Sequence, residues 1–251
     1  MKPGFPERAS QLARRILAGV LIAIGASVTV GYRLSSLSQQ IISKAGAKSS
    51  ETSPGPYPKD IYPDSLNRLP LIKREDLDEQ GKKFYDVSVG DSRSLAGLQG
   101  PTGIRLYSPR LAEALRASNQ YLRYDTELGR RLSELAILVT AREMDQQFEW
   151  TAHEPEALRV GLEQQIIDVV KYHKPLDGLG EKEAVIIQLG REVFGKRKVT
   201  SDTFARALKL FGKKTLVDLT TLMGQYSATS VLLTSFDQHL SESQKPMLPI
   251  P

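Results

Sequence analysis

Three observations make an all-α fold the prediction from this sequence. No segment alternates apolar and polar residues over the length of a strand. Apolar residues recur instead at spacings of three and four along most of the chain, which places them on one helical face. Finally, Leu132 to Ala141 is almost continuously apolar and holds no turn residue. That run is too long for one buried strand and reads as a helix buried on most sides. No internal repeat is present, so the expected architecture is a helical bundle.

Residues 1–48 form a basic leader, expected to be helical, in which Arg14 and Arg15 precede an uncharged run from Ile16 to Tyr32. About 17 apolar residues is the short limit for spanning a bilayer and a little long for a signal-peptide core. The positive flank predicts a cytoplasmic N-terminus with the rest of the chain exported, to the periplasmic side in a bacterium. Ala45-Gly46-Ala47 has the form of a cleavage site but lies far beyond the apolar run. An uncleaved membrane anchor is therefore favoured over a removed signal. The competing readings are a mitochondrial presequence, given the Arg- and Ser-rich, acid-poor composition, and a buried helix of a soluble, cytoplasmic protein.

The net charge of +5 has its source here. Residues 1–50 hold seven of the 34 Lys and Arg but one of the 29 Asp and Glu, leaving the rest of the chain at −1. The basic character belongs to the leader, which argues against a nucleic-acid-binding body. The absence of Cys excludes disulfides, thiolate nucleophiles and cysteine-ligated zinc.

Residues 49–65, rich in Ser and Pro, read as an extended tether. A helical domain is expected over 66–243, with 244–251 as a tail. Its first helix spans Asp76 to Val87, with Leu77, Phe84 and Tyr85 inward. The Gly-rich stretch from Val89 to Ile104 is long enough to line a site. Ser108-Pro109 is a helix start, cap then first-turn proline. That helix reaches about Tyr124 and shows Leu111, Leu115 and Tyr121–Leu122 to the core.

After the apolar helix comes a polar break at Met144–Asp145 and a second helical segment. Pro155 predicts a kink or boundary just after His153. Leu162 to Tyr172 is a short helix with Ile166, Ile167 and Val170 on one side, and Gly178–Gly180 breaks the chain. Glu181 to Phe194 follows, then a segment capped by Ser201 with Phe204, Leu208 and Phe211 inward. The last helix, Leu216 to Phe236, uses Leu219, Leu222, Met223, Tyr226, Val231 and Leu233.

The chemistry concentrates in the central pair of segments. Gln146, Glu149, Trp150 and His153 fall at spacings of three and four and are read as one face. For Glu149 and His153 the plainer alternative is a surface ion pair one turn apart. Glu134 shifts the balance. It sits inside the apolar run, where an unpaired carboxylate is costly, and a facing His153 supplies the partner. His173 reads as a helix-end cap, and His239 as a solvated residue of the polar tail. Lys196-Arg197-Lys198 with Lys213-Lys214 reads as a solvated basic face. Glu134, Glu149 and His153 supply at most three mixed ligands, so no metal is expected.

At these residues the chain resembles the carboxymuconolactone decarboxylase family, within the alkylhydroperoxidase D-like superfamily. The resemblance is carried by LSELAILVTARE, FEWTAHEPEALRVGL, GPTGIRLYSPRLAEAL and DTFARALKLFGKKTLVDLTTLMGQYSA, within roughly Leu69 to Leu240. The peroxidatic branch has Glu, then Cys twelve residues on, a second Cys three further, and His four beyond. From Glu134 that spacing lands on Gln146, Glu149 and His153. Both thiols are replaced, and Glu-Trp-x-x-His resembles the decarboxylase branch.

The resemblance implies an alkylhydroperoxidase D-like bundle assembling as a dimer to hexamer, with no cofactor. It implies lyase or isomerase chemistry on a small carboxylated lactone or related organic acid. His153 is then the general acid/base, Glu134 its orienting anion, and Glu149 and Gln146 contact substrate or water. Trp150 walls the site. Arg142 is a candidate for a substrate carboxylate, although eight residues from Glu134 is about 80° round an ideal helix. The alternatives are a membrane-tethered helical module without catalysis and, third, a residual peroxidase.

Disulfide-based peroxide reduction needs two thiols that cycle. With no Cys in the chain, thiol-dependent hydroperoxide reduction is expected to equal a heat-killed control in a coupled peroxidase assay.

Overall fold

A computed structural model of the protein describes residues 57–91 and 94–250. The leader, its apolar run and the first part of the tether lie outside the described residues. Among the described residues the secondary structure is helical, apart from one isolated bridge between Tyr62 and Asn67. The all-α expectation holds. No helix among them is long and apolar enough to cross a membrane.

The described residues form eight α-helices: α1 (Glu79–Val89), α2 (Pro101–Arg105), α3 (Pro109–Gln120), α4 (Arg130–Glu143), α5 (Gln147–Arg159), α6 (Gln164–Lys171), α7 (Glu181–Gly190) and α8 (Ser201–Ser235). Helix α4 is central and packs against α5, α6, α7 and α8. Every residue from Ser133 to Arg142 is buried, as its apolar run requires. Gly190 lets α7 approach closely, because a Cβ there would meet Val139 Cγ1 at 2.2 Å. Two smaller apolar clusters lie beside this core. One joins Leu77, Phe84, Leu106 and Ala112; the other joins Ile104, Phe148 and Leu233.

The break at Met144–Asp145 is present, with Asp145 at φ 47°. Several boundaries differ from expectation for identifiable reasons. Helix α1 starts later than Asp76, because the Asp78 side chain accepts from Gly81 N and caps it. Thr200, not Ser201, caps α8 through its hydroxyl. Helix α8 turns at Gly212 (φ 71°, ψ 172°), a left-handed position that glycine reaches without Cβ strain. Pro155 does not end α5, which continues to Arg159. One missing amide hydrogen bond is outweighed by the buried Trp150, His153, Glu154 and Ala157 on either side of it.

Some expected core residues face out. Leu111, Tyr121, Phe204 and Val231 are all exposed; Ala112 and Ala207 are the residues that α3 and the start of α8 bury. His173 sits at a helix end as expected but pairs with the Glu143 carboxylate at 2.9 Å instead of capping through its ring. His239 is not freely solvated, since its ring packs edge-on against Tyr57 at 5.1 Å.

Neither flank of the body is loose. Ile61, Ser65 and Leu66 are buried, and Asn67 Nδ2 donates to Gln238 Oε1 at 2.9 Å. Packing therefore begins inside the expected tether. The tail is docked as well. Leu248 is buried in the main core, and the Gln147 amide accepts from Leu248 N at 2.8 Å while donating to its carbonyl at 2.9 Å.

A chain beginning at Tyr57 is expected to be soluble and strongly helical by circular dichroism. One beginning at Asn67 loses the buried Ile61 and Leu66, at about 1.5–3 kcal/mol for each side chain. It should unfold at a clearly lower denaturant concentration in a urea titration.

Candidate active site

The site is built around a carboxylate in the middle of a hydrophobic helix. Glu134 on α4 has no solvent exposure, and an isolated charge there would be strongly unfavourable. Three cationic groups converge on it. His153 Nδ1 on α5 lies 2.6 Å from Oε2. Arg123 Nη2 donates to Oε1 at 2.9 Å, and Arg130 Nη2 pairs with the same oxygen at 2.9 Å. Each comes from a different piece of backbone. Arg130 is on the first turn of α4, four residues before Glu134. Arg123 sits in a π-helical turn, Tyr121–Asp125, that follows α3. The wider turn changes the angular step of the chain, a feature frequent at functional sites.

Glu149, one turn before His153 on α5, has Oε2 3.4 Å from the other ring nitrogen, Nε2. The imidazole is thus clamped between two carboxylates. Burial alone would lower its pKa, but the Glu134 charge and hydrogen bond, with Glu149, raise it above the ordinary 6.5. Burial pushes Glu134 upward in turn, and the His153 and Arg123 charges overcome this and hold it at about 2. Tyr226 of α8 packs edge-on against the imidazole at 5.2 Å. Burial raises its phenol well above 10.0, against the partial opposition of Arg123 and a hydrogen bond with Asn119, so the hydroxyl stays protonated.

These groups border a cavity of about 150 Å³ between the main core and the α1–α3 layer. Glu149, His153, Arg123 and Tyr226 line one side. Phe84, Leu115 and Phe148 supply apolar wall. Leu95 and Gly97, both exposed, lie at its edge. The Gly-rich stretch expected to line a site does so through Ser94–Gly97 and Pro101–Thr102.

Of the residues singled out from the sequence, Glu134, Glu149 and His153 come together, and three others are placed elsewhere. Gln146 is the N-cap of α5, its side chain accepting from Phe148 N and donating to Ser230 O and Thr234 Oγ1. Trp150 is fully buried core, and its indole donates to Glu154 Oε2. It follows Glu149 directly, about 100° further round the helix, and so points away from the cavity. Arg142 lies at the far end of α4, about 12 Å along the axis from Glu134. There it donates to Pro249 O at 2.7 Å and pairs with Asp145 at 3.3 Å.

Arg105, Arg123, Arg130, Asn119 and Thr229 were not anticipated as site residues, and Tyr226 was read only as core. Arg130 alone had a legible signal, its four-residue spacing from Glu134. Among the described residues no cluster of His, Asp or Glu forms a metal-binding group. Both Glu134 oxygens and His153 Nδ1 are already engaged with protein partners.

Linkage gives the pair a defined pH window. The His153 contribution is full below 6.5 and fades as pH rises through its raised folded value. The Glu134 contribution is full above 4.5 and is lost as pH falls through about 2. Stabilisation by the pair is therefore greatest between 4.5 and 6.5. Glu134→Gln should move the His153 titration to lower pH in histidine NMR spectra. It should also cost about 3 kcal/mol or more in urea unfolding, because it strands buried cations. Superimposable His153 titration curves would contradict the pairing.

Neither a scan against models of protein families nor a search of curated proteins returns a match to this chain.

Proposed function

We propose that this chain is a carboxymuconolactone decarboxylase-like enzyme with the alkylhydroperoxidase D-like fold. It performs cofactor-independent lyase or isomerase chemistry on a small carboxylated lactone or related organic acid. One observation carries the reading: an imidazole held between two carboxylates, 2.6 Å from Glu134 and 3.4 Å from Glu149, at the wall of a cavity. A buried ion pair with purely structural work has no need of such a cavity. The second carboxylate lies at the nitrogen left free by the first.

The geometry supports a role for each residue. Glu134 accepts from Nδ1–H, fixing the ring orientation and stabilising the imidazolium. The Nε2–H is then the proton available on the Glu149 side. In a decarboxylation the bond from carbon to the departing carboxyl breaks and CO2 leaves. The electron pair stays on the conjugated carbon framework, and His153 Nε2–H delivers the proton to carbon. The neutral ring recovers its proton from water. Glu149 holds the substrate or a water against Nε2 and directs the transfer. Acid/base assistance of this kind contributes roughly 10²–10⁴-fold. Arg123 and Arg130 keep Glu134 ionised through the cycle, which prevents it from taking the His153 proton itself.

The leader supports a membrane-anchored or exported location through its uncharged run, Ile16 to Tyr32, behind Arg14–Arg15. Assembly as a homo-oligomer, dimer to hexamer, goes with the family reading.

On a panel of small lactone and organic acids, His153→Gln should lower kcat at least about 100-fold while leaving the helical circular dichroism spectrum unchanged. Turnover by His153→Gln equal to wild type would rule out the acid/base assignment.

A further inference from the structure

Three arginines line the cavity, and they differ in what neutralises them. Arg123 pairs with Glu134 at 2.9 Å, and Arg116 with Asp91 at 2.9 Å. Arg105, at the end of α2, has no carboxylate within 4.0 Å among the described residues. Among the described residues, the one hydrogen bond of its side chain runs from Nη2 to the neutral hydroxyl of Thr229 at 2.5 Å. Its Nε is buried without a hydrogen-bond partner. A half-buried guanidinium without a paired counter-charge is unfavourable, and burial lowers the Arg105 pKa with only partial relief from the Glu149 charge. The backbone nevertheless forces this placement. Gly103 packs so tightly beneath the preceding loop that a Cβ would meet Leu98 O at 2.0 Å, which holds α2 against the cavity.

We propose that Arg105 is the anchor for a ligand carboxylate in this cavity, the role that the sequence alone suggested for Arg142. The ligand supplies the missing counter-charge. The unengaged Nη1 of the guanidinium, beside the Thr229-bound Nη2, presents donors suited to a carboxylate. The rest of the ligand is ring-sized, since a cavity of about 150 Å³ accommodates a benzene ring. Its apolar body packs on Phe84, Leu115 and Phe148, with Glu149 and His153 on the same cavity wall as its reactive part. The proposal deepens the acid/base reading of the site and rests on it only for what happens after binding.

Isothermal titration of the full chain with benzoate, benzamide and inorganic phosphate tests the assignment. Benzoate should bind wild type more tightly than benzamide or phosphate. Arg105→Gln should weaken benzoate at least about tenfold, the scale of one charged hydrogen bond, and leave benzamide unaffected. Arg105→Lys should recover part of the loss, as charge without the planar fork. The unfolding midpoint of Arg105→Gln should be no lower than wild type, because a half-buried charge with no paired carboxylate has been removed. A purely structural arginine would give the opposite shift. Equal benzoate affinity in wild type and Arg105→Gln overturns the proposal. So does wild type that fails to bind benzoate, or that prefers phosphate. Arginine-dependent benzoate binding without turnover of any acid would remove the catalytic reading alone. Turnover that survives Arg105→Gln unchanged would remove this one alone.

Discussion

A carboxylate with no solvent exposure in the centre of the most apolar helix governs much of this structure. Glu134 cannot remain charged on α4 without cations beside it, and three lie within 2.9 Å, two of them from other elements. That requirement ties together the start of α4, the π-helical turn after α3 and the middle of α5. It also sets the electrostatics of His153, whose ring has little freedom to rotate with Nδ1 on one carboxylate and Nε2 beside another. Removing the anion would strand its partners, so the structure depends on it.

The fold contains a useful internal comparison. On the other side of α5, Glu154 accepts from the Trp150 indole and from Lys171 Nζ at 2.7 Å, all buried. The same rule operates there, a buried charge met by a buried partner, but none of those side chains lines the cavity. The Glu134 network differs in reaching a cavity, through Arg123 and His153. Phe84 and Phe148 belong to separate apolar clusters, and the cavity that both line is also lined by His153, Glu149 and Arg105. One helix thus carries a structural network at Trp150 and Glu154, and a cavity-facing one at Glu149 and His153.

Burying charge against charge leaves an asymmetry in the cavity. Arg116 and Arg123 each have a carboxylate, whereas Arg105 has a hydroxyl. A half-buried cation without a paired carboxylate is unfavourable, and a similarly shaped neutral side chain would be less so there. The residue stands on the short helix between the Gly-rich stretch and Ser108, a segment whose position depends on the close approach at Gly103.

What the sequence determined by itself is local and periodic. The burial of Ser133–Ala141, the break at Met144–Asp145 and the inward faces of α6 and α7 all follow from apolar spacing. So does the pairing of Glu134 with His153, because a carboxylate in an apolar run demands a partner and few ionisable groups are placed to meet it. What the tertiary structure alone decided is which long side chains reach the same point. Arg105, Arg123 and Tyr226 reach the cavity that His153 lines from three elements distant in sequence, by way of a π-helical turn and a glycine-permitted contact that leave no periodic trace. Arg142 and Trp150, attractive by type, point elsewhere because a helix advances about 1.5 Å and turns about 100° per residue. Periodicity states which face a residue occupies; only packing states what stands opposite.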